Sequence, residues 1–252
     1  MQWLERVRQM PGRIGVYYKP LDGEAAGFNE DLPLVAASVI KLPVMVEAFR
    51  RMQTGTLNPD EIVTVPPETK LPSCGALTYL HDGIRVTVMD LVTLMIILSD
   101  NTATNLLIDR LGIDAINATM TALGIPGVAL RRKLFDAEQS RRGVENTVTA
   151  RGIGILLTRM ARGELLGEPA DGSMMDILKN QRLNGKLPFF LHGRGVKIAH
   201  KTGEDDGITH DVGVVFAKRL FVVCMLSNEV DVPAFERLMQ DAALEMTLEN
   251  DG

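Results

Sequence analysis

Cysteine is scarce in this 252-residue chain. Only Cys74 and Cys224 are present, so a disulfide-rich scaffold is excluded, and the sequence leaves open whether the two meet in a single bridge. Positive charge is also short: 27 Lys and Arg stand against 32 Asp and Glu, a net charge of −5. A general phosphate-binding surface does not fit that balance, so nucleic acid is not an expected partner. Long apolar runs are missing. No stretch approaches the roughly 20 residues of a spanning helix, and the longest, Leu220 to Leu226, suits a buried strand. Repeats, low-complexity tracts and obvious linkers are missing too. His81, His192, His200 and His210 show no metal-ligand spacing, so neither metal nor cofactor is expected. The N-terminus, MQWLERVRQM, carries Glu5, Arg6 and Arg8 where a signal peptide would be apolar. As written, the chain is expected in the cytoplasm; a processed mature form would be secreted or periplasmic.

What remains is an ordinary globular composition, 46% hydrophobic and 23% charged, with length for one large domain or two modest ones. A short helix to about Met10 ends at Pro11-Gly12. A hairpin follows, with strands near Arg13–Tyr18 and Ala25–Asn29 joined at Asp22-Gly23. A helix is expected from about Ser38 to Met52, with a kink at Pro43. Thr87 and Asp90 have capping-box spacing before the apolar run LVTLMIIL, which marks a buried helix. Further helices are read at Thr102–Leu111, from an Asp114 cap to about Leu123, and at Ile153–Ala161. Between the last two lies a polar loop, Arg131 to Thr147, of a length that is usually functional or disordered. Strand-like segments at Val196–Lys201, Asp211–Ala217 and Leu220–Ser227 precede an amphipathic helix from Phe235 to about Leu248. The expected fold is therefore α+β. An antiparallel sheet and its flanking helices come from residues 1–32 and 181–252, an all-helical domain from 33–180, and a ligand cleft lies between them.

Three short motifs carry chemistry. Ser38-Val39-Ile40-Lys41 puts a serine and a lysine one helical turn apart, on one face. The hydroxyl is a weak nucleophile until a base takes its proton, and a lysine serves once burial and nearby positive charge lower its pKa. Ser99-Asp100-Asn101 sits where the buried helix ends; Ser99 is placed to relay a proton and Asn101 to meet an amide. Lys201-Thr202-Gly203, read at a strand end, offers a cation and a hydroxyl to a carboxylate, and its glycine admits close approach of substrate backbone. Singly, each reads as well as a helix start, a cap or a turn. Together they have a chance probability on the order of 10⁻⁴ for this composition.

With SDNTATNLLIDRLG at 99–112 and HKTG followed by HDVGVV at 200–215, the chain resembles the class A β-lactamases among the penicillin-recognising serine hydrolases, from about Ile14 to the C-terminal helix. The resemblance implies Ser38 as acylated nucleophile and Lys41 as its base. It implies Ser99 as proton relay, Asn101 against the substrate's side-chain amide, and Lys201 and Thr202 against its carboxylate. The backbone N–H groups of Ser38 and Glu204, beside Gly203, would form the oxyanion hole. The implied partner is a small molecule, a β-lactam or another amide or ester near a carboxylate, acting on a monomer. The family also carries a deacylating glutamate with an asparagine four positions on. Here, counting along RRKLFDAEQSRRGVEN from Arg131, Lys133 falls at the glutamate position. Asn146 replaces the aspartate that partners the neck arginine, and Asp136 and Glu138 are the nearby carboxylates. Slow turnover is expected, with D-alanyl carboxypeptidase or small-ester hydrolysis as the alternative, and a penicillin-binding sensor as an alternative of another class. His210, just past the cleft strand, is a further candidate for substrate contact.

Overall fold

The computed structural model describes residues 1–72 and 74–251. Five antiparallel strands form the main sheet: β1 (Arg13–Pro20), β2 (Ala26–Phe28), β7 (Lys197–Asp205), β8 (Ile208–Phe216) and β9 (Phe221–Asn228), in the order β2-β1-β9-β8-β7. The remaining strands are short pairs, β3 (Leu34–Val35) with β6 (Thr147–Val148) and β4 (Ile62–Thr64) with β5 (Arg85–Thr87). The helices are α1 (Gln2–Gln9), α2 (Lys41–Gln53), α3 (Val88–Ile97), α4 (Asn101–Leu111), α5 (Ile113–Ala122), α6 (Ala137–Arg141), α7 (Ala150–Ala161), α8 (Ala170–Lys179) and α9 (Val232–Asp251).

The sheet order brings the chain ends together: Arg13 to Pro20 of β1 pairs in register with Asn228 to Phe221 of β9. Every residue of β9 is buried, which explains its unbroken apolar run. Alternation sorts its side chains between two cores. Phe221, Val223 and Met225 join Trp3, Phe235 and Met239 beneath α1 and α9, whereas Val222, Cys224 and Leu226 join the helices of the middle of the chain. Cys224 is a free thiol inside that second core. Tyr17 of β1 lies against α7, where Gly154 makes room for its ring; a Cβ there would overlap it.

The buried helix α3 begins with the capping box read from its sequence: the Thr87 hydroxyl accepts from the Asp90 N–H, and the Asp90 carboxylate accepts from the Thr87 N–H. Pro43 is the third residue of α2, where an amide has no partner inside the helix, so the ring removes no helical hydrogen bond. Asp114 does not cap α5; Gly112, with φ of 84°, ends α4 and starts α5 directly. The loop from 131 to 147 contains the short helix α6, and α8 has no counterpart in the sequence reading. Among the described residues no helix is long and apolar enough to cross a membrane.

Candidate active site

Ser38 does not sit on an α-helix. It lies on a 3₁₀ turn, Ala37–Ile40, that runs into α2. The two-residue strand β3 leads into this turn, and Ala37 adopts a left-handed φ of 41°. The turn still directs Ser38 and Lys41 to a common point. The Lys41 Nζ is 2.9 Å from the Ser38 Oγ. It is also 2.8 Å from the Ser99 carbonyl, 2.9 Å from the Ser99 Oγ and 2.8 Å from the Asn101 Oδ1.

That shell defines what Lys41 can do. The Ser99 carbonyl and the Asn101 Oδ1 are acceptors only, so they take two N–H groups. A neutral amine then has one lone pair left, facing two hydroxyls. Burial, followed by the nearby charge of Lys201, lowers the Lys41 pKa well below its ordinary value. The neutral form is thus both favoured and fully satisfied.

Ser99 and Asn101 reach this point because the chain turns sharply after α3. Ser99 has a left-handed φ of 54°. Asp100 caps α4 by accepting from the Ala103 N–H at 2.9 Å. Its other oxygen accepts from the N–H groups of Ala76 and Leu77, at 2.7 and 2.9 Å, which ties the 74–77 loop to the same turn. The motif drew attention to Asp100 only as a spacer, yet its carboxylate organises three backbone donors.

Lys201 enters from β7, completely buried. Its Nζ donates to the Ser99 Oγ at 3.0 Å and the Thr202 carbonyl at 2.8 Å. The Ser99 hydroxyl therefore bridges the two lysines. Burial is the main cause that brings the Lys201 pKa down from 10.5 to about 7; Lys186 pushes it the same way and Asp211 opposes. Lys201-Thr202-Gly203 lies inside β7, not at its end, because the β7–β8 hairpin continues to Asp205 and Ile208. Gly203 lets β7 pass close to the serine: a Cβ there would lie 3.3 Å from both the Ser38 backbone nitrogen and the Ala37 Cβ.

A cavity of about 510 Å³ opens above these groups. Ser38, Asn101 and Glu204 line it, with Cys74 on one wall; Lys41, Ser99, Lys201 and Thr202 are buried and do not contribute to its lining. The opposite wall is the 131–147 loop, through Arg132, Leu134, Phe135, Asp136, Ser140 and Glu145. Lys133 turns out of the cavity to pair with Asp109 at 2.9 Å. Asp136 faces the cavity and caps α6 through the Gln139 N–H, whereas Glu138 is exposed and outside the lining. Glu145, absent from the sequence reading, faces the cavity while held by Arg132 at 2.6 Å and the Ser140 hydroxyl at 2.9 Å.

At the neck of the loop Asn146 bonds to backbone, where an aspartate would pair with Arg131. The Asn146 Oδ1 accepts from the Arg131 and Arg132 N–H groups at 2.7 and 3.0 Å, and its Nδ2 donates to the Arg132 carbonyl at 3.1 Å. The Arg131 guanidinium goes to the Glu145 carbonyl and the Thr147 hydroxyl. His210 is buried beneath Gly203 with both ring nitrogens bonded to backbone, which leaves neither for a substrate and overturns its reading as a substrate contact.

The model of the Beta-lactamase enzyme family matches residues 2–247. Beta-lactamase VEB-1 from Pseudomonas aeruginosa is 23% identical over 224 residues, spanning 81% of this chain and 72% of that protein. Among solved structures, a beta-lactamase from Sphaerobacter thermophilus superposes with a TM-score of 0.89 at 27% identity, covering 99% of this chain and 95% of the other. PBP-A superposes at 0.88 with 28% identity, covering 98% and 94%; a mutant of PBP-A has been solved as an acyl-enzyme complex with penicillin G. This chain belongs to the Beta-lactamase enzyme family, and by that membership it is a serine hydrolase.

Proposed function

We propose that this protein opens β-lactams, or amides and esters of similar shape, through an acyl-enzyme on Ser38. One observation carries the reading: the Lys41 Nζ lies 2.9 Å from the Ser38 Oγ, inside a shell that a neutral amine satisfies. In this reading Lys41 takes the Ser38 proton as the oxygen attacks the carbonyl carbon. The N–H groups of Ser38 and Glu204 receive the oxyanion as it forms. Ser99, bridging Lys41 and Lys201, passes a proton to the departing nitrogen. Asn101, on the cavity lining, meets the substrate's side-chain amide, and Lys201, with Thr202 beside it, attracts its carboxylate from behind that lining.

Release of the acyl group is slow in this proposal. Lys133, at the family's glutamate position, is committed to Asp109. The carboxylates on the loop wall each have other work: Asp136 caps α6 and Glu145 pairs with Arg132. The likeness to PBP-A and this altered loop favour a second reading, in which the same serine serves a D-alanyl carboxypeptidase or a small-ester hydrolase. A long-lived adduct with no turnover of any ester would instead indicate a sensor.

Intact-protein mass spectrometry after incubation with penicillin G tests the proposal. We expect an adduct of one penicillin mass, absent in Ser38→Ala, and a burst followed by a slow phase with a chromogenic cephalosporin. The absence of both adduct and hydrolysis would refute it. Release of terminal D-alanine, or nitrophenyl ester hydrolysis without β-lactam turnover, would select the second reading.

A further inference from the structure

His210 is fully buried on β8, one residue before Asp211, and neither nitrogen of its ring is free. The Ser227 backbone N–H donates to Nδ1 at 3.1 Å, so Nδ1 is an acceptor. The proton must then sit on Nε2, which donates to the Val35 carbonyl at 2.8 Å. The partners thus dictate a neutral ring of one tautomer.

Val35 is the last residue of β3 and stands three before Ser38. Its N–H donates to the Asn228 Oδ1 at 2.8 Å, so both its backbone groups are held by the main sheet. On its other side the same imidazole meets the strand carrying Glu204. A Cβ at Gly203 would lie 3.0 Å from the His210 Cδ2 and 3.3 Å from the Ser38 nitrogen. Buried Lys186 completes the arrangement, with its Nζ 3.3 Å from the carbonyls of both Gly203 and His210. The ring is therefore a spacer. Its tip holds the segment leading to Ser38, and its edge lies against the residue preceding Glu204.

We infer that His210 is the positioning residue of the oxyanion hole, setting the separation of the Ser38 and Glu204 N–H groups without touching the substrate. The inference rests on the acyl-enzyme reading above. Burial holds the ring neutral, lowering its pKa from 6.5 to about 4. An imidazolium would turn Nδ1 into a donor facing the Ser227 donor. A displacement of about 1 Å in such donors costs on the order of 10²-fold in rate.

The test compares wild type with His210→Ala and His210→Gln, using penicillin G and a phenylboronic acid. The boronic acid forms a tetrahedral adduct on serine and so reports on the oxyanion hole directly. Gln keeps an N–H able to reach the Val35 carbonyl; Ala does not. In His210→Ala we expect the acylation rate constant and the boronic acid affinity to fall together, by about 10²-fold, while the dissociation constant of the initial penicillin complex moves less than about threefold. His210→Gln should recover at least about tenfold of both losses. Ala acylating at the wild-type rate, a loss confined to initial binding, or Gln no better than Ala would each overturn the assignment and leave the Ser38 reading intact. A wild-type protein that forms no adduct with either probe would overturn the Ser38 reading and this inference with it.

Discussion

A neutral Lys41 is the physical requirement of the proposed chemistry, and the lowered pKa values of Lys41 and Lys201 leave a signature in stability that needs no substrate. Lys201 in the folded protein titrates at about 7, against an ordinary 10.5. Between those values the unfolded chain still holds the proton and the folded protein has released it. Stability therefore rises with pH across the window, by about 1.36 kcal/mol per unit for each proton of difference. From pH 7 to 8.5, Lys201 alone contributes about 1.6 kcal/mol, because at pH 7 the folded lysine is half deprotonated. Lys41, also depressed, adds with the same sign. Cys224 sets the upper limit: burial raises its thiol pKa well above the usual 9.0, so above that pH it works in the opposite direction.

Urea unfolding of wild type and Lys201→Met at pH 7 and 8.5 measures the effect. Wild type should gain at least about 1.6 kcal/mol over this interval. The methionine variant should gain less by about the equivalent of one proton, and by more than that if losing the Lys201 charge lets Lys41 hold its own proton longer. A wild-type stability that is flat or falling across the interval would show that both lysines stay charged, and the proposed base would then have no lone pair to offer; an equal slope in the variant would show that Lys201 keeps its proton.

Other outcomes follow from the same geometry. Lys41→Met should lower the acylation rate constant by about 10²- to 10⁴-fold with initial binding little changed, measured by stopped-flow with a chromogenic cephalosporin. Gly203→Ala places a Cβ 3.0–3.3 Å from His210, Ala37 and Ser38, so acylation should fall by about tenfold or more and thermal scans should show a lower Tm. Asp136→Asn should slow release of the acyl group in a burst assay, whereas Glu138→Gln should leave it unchanged, because of these two only Asp136 faces the cavity. Equal release rates in both variants would remove Asp136 and Glu138 from the second step.

The Ser38–Lys41 and Ser99–Asn101 pairs were legible because the spacing within each is local, whereas their meeting with Lys201, 102 residues from Ser99, was implied only by the resemblance. Ser38 and Lys41 share a face over one turn whether that turn is α or 3₁₀, so the pair survived an incorrect assignment of the helix start. The β9 strand was legible from its apolar run, and α3 from its capping box. What failed depended on partners distant in sequence. Lys201 was read at a strand end because Gly203 suggests a turn, whereas the glycine is needed mid-strand, where β7 passes the Ser38 nitrogen. His210 was read as facing substrate; its ring partners, Ser227 and Val35, come from strands 17 and 175 residues away. No periodicity announces such bonds.

The loop wall shows how one helix links the two halves of the site. Asn101, Asn105 and Asp109 recur every four residues along α4 and so share a face. Asn101 accepts from Lys41 in the cluster around Ser99. One turn on, Asn105 accepts from the Leu134 N–H and donates to the Leu134 carbonyl, both at 2.9 Å, gripping the loop's backbone as a neighbouring strand would. One turn further, Asp109 draws Lys133 outward. With Leu134 clamped and Lys133 pulled away, the chain reaches Phe135 in a left-handed conformation, φ of 60°, before Asp136 caps α6. Residue 133 is thus directed out of the cavity by backbone geometry as well as by charge. Replacing Lys133 with glutamate would remove the attraction to Asp109 but leave the Asn105 clamp on Leu134, so charge and backbone would then direct residue 133 in opposite senses.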